Sequence, residues 1–458
     1  MVQSAICLET GHSYARGVDR SAVRPPTRLA FESRPRLCVS TVGSREGHRD
    51  STARSRGLLD LFWKDLSMYE NRSQDRNGLT ITASRGELTE RLAKVRGEMA
   101  SLGVHVAVIT SPYAVFYLSG IWTGWFDAAP TLVVTADSHR VVARQLDVGW
   151  EGVWAPQTWA NDWTYYRDED DIPSVVGEFA RQICRRQNPT LGLELNTPLI
   201  TSRYVAAIIR SARARGVVDL QPSMVAIRSV KSATEISHLR RSAGLTKLGM
   251  ETARDTIASG GLDTEAASAA FAAMVAAGSE PFAYNPIVVS GPLNRAVHIP
   301  WGSTRPRDGE PTTVMLGAVA GGYAAPLERT FFRRYVPDNA RELLNSVADA
   351  VKAVLTELRP GMTGADVDRL ARSAHEKNGV AARFLHRTGY SIGINWADLD
   401  LMQLHPSSKT EVVPGMTFHL VPHLMDPDLG LLAVSQPIVV TERGCEPLLD
   451  FPLVVDPL

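Results

Sequence analysis

Apolar and polar residues recur along the chain at two different spacings, and the helical spacing appears first. One set of positions predicts a helix that ends before Gly103, a stop signal; these positions are Leu88, Leu92, Val95, Met99 and Leu102. Short apolar runs then lie at 106–110, 131–135, 140–144 and 191–195. Such runs, separated by turns and helical segments, predict an α/β domain with a mostly buried sheet.

The second half begins with a charged helix capped near Ser232, which places a domain boundary near residue 230. Helical spacing predicts helices over 233–258, 263–278, 338–358 and 363–379. Strand spacing predicts strands at 285–290, 313–334 (a pair), 388–394, 415–421 and 431–441. Helices in sequence pairs between antiparallel strands are typical of an α+β layer. Gly321-Gly322 predicts a tight hairpin turn within the strand pair.

Composition narrows the class of protein. The 458 residues include 49 Lys+Arg and 49 Asp+Glu, so nucleic acid and anionic membranes are not expected partners. The most apolar stretches are too short to span a bilayer. The four cysteines have no CxxC spacing, which favours a reduced, cytoplasmic setting. Residues 1–80 are rich in arginine and lack periodicity, so they are expected to be a disordered extension; a targeting peptide and an upstream start codon are the alternatives.

Sequence blocks from the second half resemble the creatinase and aminopeptidase P family, and they occur in that family's order over nearly all of 225–458. The blocks include NPIVVSGPLNRAVHIP, GGYAAPLERTFF, LRPGMTGADVD, RTGYSIGI, VPGMTFHLVP and LLAVSQPIVVTERGCEPL. The resemblance implies a creatinase-like α/β N-terminal domain over 81–230 and an α+β pita-bread domain of catalytic type over 231–458. Within the family, the blocks are most similar to the branch that contains ectoine hydrolase.

The resemblance also implies which positions would hold two divalent ions in the family's peptidases. In the order of two Asp, one His and two Glu, they are Met315, Pro326, Tyr390, Val421 and Ser435. Hard divalent ions need several carboxylate or imidazole ligands, and these side chains supply none. We therefore expect no metal, no other cofactor and no metallopeptidase chemistry.

Creatinase, a metal-free relative, implies a catalytic role for His298, whose position matches the histidine that carries protons there. A histidine gives and takes protons near neutral pH. The acids that hold creatine's guanidinium group are not retained, which argues against creatine as substrate. Glu328 shares a strand face with Pro326 and is the carboxylate expected to help; the alternative is an ion pair with Arg333 or Arg334.

The remaining candidates concern Tyr390 and the pocket walls. Tyr390 is expected to donate to a developing oxyanion, with a core tyrosine as the alternative. His419 shares the odd-numbered face of strand 415–423 with His423, which is the weaker candidate. The family also implies that the 120–130 loop reaches a neighbouring subunit's site. The predicted substrate-binding residues are His419, Trp301, Trp396, Tyr323, Trp125, Phe126 and Asp127.

These features predict a metal-independent enzyme that acts on a small nitrogen-containing compound. C–N bond hydrolysis by histidine acid–base catalysis is the leading hypothesis, and a lyase or cyclase on the same scaffold is the alternative within enzymes. A non-catalytic binding protein with a degenerate peptidase fold is the alternative from another class. A homodimer with a pocket shared between subunits is the expected assembly.

Overall fold

The computed structural model describes residues 82–122, 129–196, 200–281, 284–394, 396, 401–454 and 456–458. The predicted disordered extension and the predicted pocket residues Trp125, Phe126 and Asp127 lie outside the described residues. Among the helices that the structure describes, none is long and apolar enough to cross a membrane.

The N-terminal half contains a six-stranded sheet in the order β4-β3-β2-β1-β5-β6. Its strands are β1 (Val106–Ile109), β2 (Thr131–Val134), β3 (His139–Arg144), β4 (Trp163–Tyr166), β5 (Thr190–Leu193) and β6 (Gly216–Asp219). The β1–β2 and β2–β3 pairs are antiparallel and the other pairs are parallel. The predicted α/β class and four of these strands are confirmed; β4 and β6 were not predicted, because WTYY and GVVD are short and flanked by charged residues.

Among the residues described in this half, six α-helices accompany the sheet: α1 (Arg85–Ser101), α2 (Pro112–Ser119), α3 (Gly149–Trp154), α4 (Ile172–Cys184), α5 (Ser202–Ala212) and α6 (Gln221–Ser229). In α1, the buried face contains the predicted Leu88, Leu92, Val95 and Met99, whereas Leu102 is exposed. Val176 and Ala180 of α4 and Ile208 of α5 pack on the apolar face of the sheet. This core is almost wholly aliphatic.

The C-terminal half begins with the predicted helix. Helix α7 (Ala233–Ala258) has a reciprocal capping box between Ser232 and Glu235, which satisfies two amides at its N-terminus. The other helices are α8 (Asp263–Ala276), α9 (Asp338–Glu357) and α10 (Gly364–Lys377). All four lie within one or two residues of their predicted ranges.

The strands of this half form two larger sheets, β11-β8-β7 and β13-β12-β14-β17-β18, and two short hairpins, β9-β10 and β15-β16. The strands are β7 (Ile287–Ser290), β8 (Pro311–Leu316), β9 (Val319–Ala320), β10 (Tyr323–Ala324), β11 (Leu327–Phe332), β12 (Gly389–Ser391), β13 (Gln403–Leu404), β14 (Thr417–Leu420), β15 (Leu424–Asp426), β16 (Gly430–Leu432), β17 (Gln436–Val440) and β18 (Cys445–Pro447).

The five-stranded sheet has one apolar face and one polar face, and this alternation positions the candidate site. Phe418 and Leu420 of β14 pack against Val351 and Val367 of helices α9 and α10. Since neighbouring residues of a strand point to opposite faces, His419 points away from the helices. Tyr390 of β12 lies directly opposite His419 in the strand register.

The predicted Gly321-Gly322 hairpin is confirmed. Both glycines have positive φ, 56° and 79°, as a turn of this type requires. A Cβ added at Gly321 would lie 2.4 Å from the His238 ring, and one at Gly322 would lie 2.3 Å from the Phe116 ring. The Glu280 carboxylate accepts both turn amides, at 2.8 and 2.7 Å. The turn therefore packs against α2 and α7 and is hydrogen-bonded to the segment that follows α8.

Candidate active site

A chain of buried side chains crosses the polar face of the five-stranded sheet. The Tyr390 hydroxyl lies 2.8 Å from His419 Nδ1, and His419 Nε2 lies 2.6 Å from Ser435 Oγ. Trp396 Nε1 donates to the Tyr390 hydroxyl oxygen at 3.0 Å. We call Tyr390, Trp396, His419 and Ser435 the Tyr390 network. Its histidine has both ring nitrogens bonded, so the network is a continuous hydrogen-bonded path.

Strand β11 joins this network through its backbone. The Glu328 amide donates to Ser435 Oγ at 2.7 Å, and the Ser435 amide donates to the Glu328 carbonyl at 3.1 Å. Met315 of β8 lies opposite Glu328 in the strand register. The two larger sheets of the C-terminal half therefore meet at Glu328 and Ser435.

The Glu328 carboxyl group is buried, with 5% of the residue exposed. Its Oε2 atom lies 3.5 Å from His423 Nδ1. Burial raises the pKa of Glu328 to about 8, while the positive charge of Arg329 acts in the opposite direction. The alternative ion pair with Arg333 or Arg334 is wrong, because both guanidinium groups lie near Asp308, at 3.7 and 3.8 Å.

Arg329 has a structural position next to this acid. Its guanidinium group donates to the carbonyl oxygens of Glu328, Ser435, Phe451 and Pro452. Burial lowers its pKa to about 9, and Glu328 acts in the opposite direction. The group is thus a cation at neutral pH that is surrounded by backbone acceptors.

The buried histidines of the site are neutral at neutral pH. Burial, followed by the charge of Arg329, lowers the pKa of His419 to about 3. Burial also lowers the pKa of His423 well below its usual value. A neutral imidazole has one donor and one acceptor nitrogen. His419 therefore donates a hydrogen bond to one of the two hydroxyl groups, Tyr390 or Ser435, and accepts a hydrogen bond from the other.

The structure brings together four of the predicted site residues: Tyr390, Glu328, His419 and Trp396. Trp396 has a left-handed backbone, with φ 60°, and its indole lies against Gly317. Its ring also meets Tyr284 edge to face, with 5.3 Å between the centroids. Trp396 therefore packs against Gly317 and Tyr284 and bonds to the Tyr390 hydroxyl.

Three other predicted residues lie apart from the Tyr390 network. His298 is exposed, in a loop with φ 71°, and it contributes after burial and Arg387 to lowering the pKa of the neighbouring His386. Trp301 is 42% exposed, so it does not form an apolar wall in this chain. Tyr323 is a correction: its hydroxyl donates to Glu235 at 2.7 Å and its ring stacks on His238, so it joins β10 to α7 instead of binding substrate.

The positions where the resemblance implies metal ligands provide a test of fit. Met315, Pro326, Tyr390, Val421 and Ser435 offer a thioether, two hydroxyl groups and two side chains without donors. Hard divalent ions prefer carboxylate and imidazole ligands. No group of three or more His, Cys, Asp or Glu side chains among the described residues is arranged to hold a metal ion. The side chains at these positions do not fit a pair of divalent ions.

Sequence reasoning underrated His423 and did not assign roles to Ser435 and Arg329. Strand β14 ends at Leu420, and the His423 amide then closes a tight turn onto the Val421 carbonyl at 2.7 Å. This turn brings the His423 ring to Glu328. The odd-numbered alternation that indicated His419 was the available signal for His423, and the strand end weakened it.

Comparisons with known proteins agree with this architecture. The family model for the "Creatinase/Prolidase N-terminal domain" matches residues 91–230, and the model for "Metallopeptidase family M24" matches residues 237–442. The ectoine hydrolase of Halomonas elongata is 27% identical over 397 residues, covering 82% of this chain and 98% of the relative. The agropine synthesis cyclase of Rhizobium rhizogenes is 25% identical over 398 residues, covering 79% and 96%.

Among solved structures, the prolidase from Pyrococcus horikoshii OT3 has a TM-score of 0.70 at 19% identity. The superposition covers 80% of this chain and 100% of the prolidase chain. A likeness at this level of identity supports the fold alone. The chemistry has to be argued from the side chains of the site.

Proposed function

From its membership of Metallopeptidase family M24, with a creatinase/prolidase N-terminal domain before the pita-bread domain, we infer that the chain is an enzyme. We propose that it hydrolyses a C–N bond of a small nitrogen-containing compound without a metal ion. Its relatives include a hydrolase and a cyclase. We take 81–230 and 231–458 as its two domains, and a homodimer as its assembly.

One observation carries this proposal: two members of the Tyr390 network, Tyr390 and Ser435, stand at positions where the family resemblance implies metal ligands, and His419 bonds to both. A metal pair would supply a nucleophilic hydroxide and polarise the scissile bond. Without it, these tasks require groups that donate and accept protons. The Tyr390 hydroxyl, bonded to His419 at 2.8 Å and accepting from Trp396, is a fixed dipole of the kind that stabilises a developing oxyanion.

Two further residues supply the proton transfers. His298 lies in an exposed loop, so its ring is accessible to solvent. It takes a proton from the attacking water as the C–O bond forms. Glu328, whose burial keeps the carboxyl group largely protonated near neutral pH, supplies a proton for the departing nitrogen.

Cyclisation is the second candidate, and the agropine synthesis cyclase favours it. The same donors and acceptors serve an internal nucleophile of the substrate instead of water. The two reactions differ in whether solvent oxygen enters the product. Mass spectrometry of products formed in H₂¹⁸O distinguishes them, because hydrolysis incorporates the label and cyclisation does not.

The test combines a metal assay with a substrate screen. Chelator-treated protein is analysed by inductively coupled plasma mass spectrometry and incubated with ectoine, pyroglutamate and N-acetylglycine. We expect well under one equivalent of divalent metal, and hydrolysis of at least one compound that chelation does not change. Tyr390→Phe should lower the rate roughly 10²-fold or more, because it removes only the proposed oxyanion donor. Tyr335→Phe, which changes an exposed phenol, is the matched control. A stoichiometric metal that is required for turnover contradicts the proposal.

A further inference from the structure

Glu328 and His423 form a buried pair whose side chains are not part of the Tyr390 network. Glu328 Oε2 and His423 Nδ1 are 3.5 Å apart, and 6% and 9% of their side chains are exposed. The two residues come from different parts of the sequence, strand β11 and the turn between β14 and β15. The fold therefore brings a carboxyl group to one nitrogen of a buried imidazole.

The other nitrogen of this ring is left without a partner. His423 Nε2 is buried and has no hydrogen-bond partner among the residues that the structure describes. Two other buried histidines differ: His419 has both nitrogens bonded, and His375 contacts Ser346 through Nδ1 and the Pro422 carbonyl through Nε2. A buried polar atom without a partner is destabilising, so native proteins retain such atoms mainly where a ligand, a water molecule or a reaction uses them.

A carboxyl group on one imidazole nitrogen, with the second nitrogen unoccupied, is the arrangement of a histidine oriented toward a substrate. We propose that His423 is a catalytic residue whose Nε2 contacts the leaving nitrogen of the substrate, with Glu328 as its proton reservoir. This inference rests on the proposed C–N hydrolysis and names the acid of that reaction.

The protons of the step balance. Neutral His423 carries a proton on Nε2 while Nδ1 accepts the proton of the Glu328 carboxyl group. As the C–N bond breaks, its electron pair goes to nitrogen, which takes the Nε2 proton, and the Glu328 proton moves to Nδ1. The water that forms the new C–O bond releases one proton to His298, and after the products leave, His298 returns this proton to solvent while solvent restores one proton through His423 Nε2 to Glu328. The net change is the addition of one water molecule across the C–N bond. Burial favours the neutral forms of both residues, as this sequence requires.

The first test removes the unoccupied nitrogen and keeps the rest of the ring contact. In His423→Asn, the amide replaces the region of Nδ1 next to Glu328 and leaves nothing at Nε2. We expect kcat for a hydrolysed probe (ectoine, pyroglutamate or N-acetylglycine) to fall by roughly 10²–10⁴ while circular dichroism is unchanged. His375→Asn is the matched control: it loses stability but keeps its rate per folded molecule. If His423→Asn does not fold, Glu328→Gln serves instead, with an expected loss of the same order.

A second measurement does not depend on turnover. The full chain with ¹⁵N-labelled histidine rings is titrated with the same three probes, and the signals of His423 are assigned by their loss in the Asn variant. We expect a probe to shift the Nε2 signal of His423 and to leave the signals of His375 in place.

The two measurements distinguish a failure of the Glu328–His423 pair from a failure of the proposed hydrolysis. Hydrolysis that His423→Asn leaves unchanged overturns the acid–base pair and keeps the proposed function. A shift at His423 without hydrolysis of any probe overturns the proton transfer and the hydrolytic function, and keeps only a ligand contact. The absence of a shift with all three probes overturns the pair.

Discussion

The core of the N-terminal half and the junction of the two C-terminal sheets bury different kinds of residue. Behind the six-stranded sheet, the core consists of aliphatic residues such as Val108, Leu191 and Ile208. At the junction of the C-terminal sheets, side chains such as Glu328 and His419 are buried instead. Burying polar groups costs free energy unless they are bonded, so their concentration at one junction indicates a functional demand there.

The same contrast appears between two buried glutamates. Glu194, at the end of the N-terminal sheet, accepts the Ser111 amide at 3.3 Å, and burial raises its pKa to about 7. Glu328 faces an imidazole instead of a backbone amide. A carboxyl group bonded by amides holds a loop in place, whereas one beside a histidine is able to exchange a proton.

The largest expected effect on turnover comes from a substitution of His298, the proposed proton acceptor of the C-terminal half. At φ 71°, alanine would add backbone strain, whereas asparagine tolerates this conformation, so His298→Asn is the cleaner variant. We expect turnover of the identified substrate to fall by roughly 10²–10⁴ while binding and the circular dichroism spectrum stay the same. Unchanged turnover in correctly folded protein would remove the predicted proton carrier from the mechanism.

Leu191→Ala tests the aliphatic half of the comparison. The side chain is fully buried in the N-terminal core, and its truncation should lower the free energy of unfolding by about 2–5 kcal/mol. The rate per folded molecule should not change, as urea unfolding and kinetics at low temperature would show. A large loss of kcat in folded protein would mean that this core contributes to the chemistry.

The pH dependence of stability compares the two glutamates directly. A carboxyl group whose folded pKa is raised stays protonated in the folded state while it ionises in the unfolded chain, so stability falls as pH rises. Between pH 5 and 8, Glu328 should lower the stability by up to about 4 kcal/mol, while the lowered pKa values of His419 and His423 act in the opposite direction over the lower part of this range.

Urea unfolding across this pH range measures the effect. The difference between wild type and each variant isolates one carboxyl group: Glu328→Gln and Glu194→Gln should each gain stability relative to wild type as pH rises, since each removes a raised carboxyl group. Only Glu328→Gln should also reduce turnover. Equal losses of turnover in the two variants would contradict the division of roles between the halves.

The smallest expected effect concerns the loop at 120–130, by which the N-terminal half is predicted to reach a partner subunit. Trp125→Ala should reduce kcat/KM roughly tenfold, the loss expected when one aromatic contact with substrate is removed. Light scattering should give a homodimer. A monomer at micromolar concentration would argue against a shared pocket.

The fold was predictable because its signals are local. The capping box at Ser232, the stop at Gly103 and the Gly321-Gly322 turn each act within a few residues, and the structure confirms all three. The face of His419 was also predictable, because β14 alternates strictly. Strands β4 and β6 were missed because WTYY and GVVD are short and flanked by charged residues.

The site was less predictable because its contacts are not local. The Glu328–His423 pair spans 95 positions and depends on the turn after Val421. Tyr323 shows the opposite error: it was predicted to bind substrate, but its hydroxyl donates to Glu235 of the capping box. Sequence patterns indicate which face a residue occupies, and only the packed fold determines its partner.

The packing around the Gly321-Gly322 turn has an evolutionary consequence. A larger residue at either glycine needs a smaller ring at His238 or Phe116, so single changes at these positions should be rejected even though the turn contains no proposed catalytic group. Among homologous chains that keep this packing, positions 116, 238, 321 and 322 should covary. Coupled conservation of these positions would therefore record a steric constraint between the two halves of the molecule and would be a misleading guide to its chemistry.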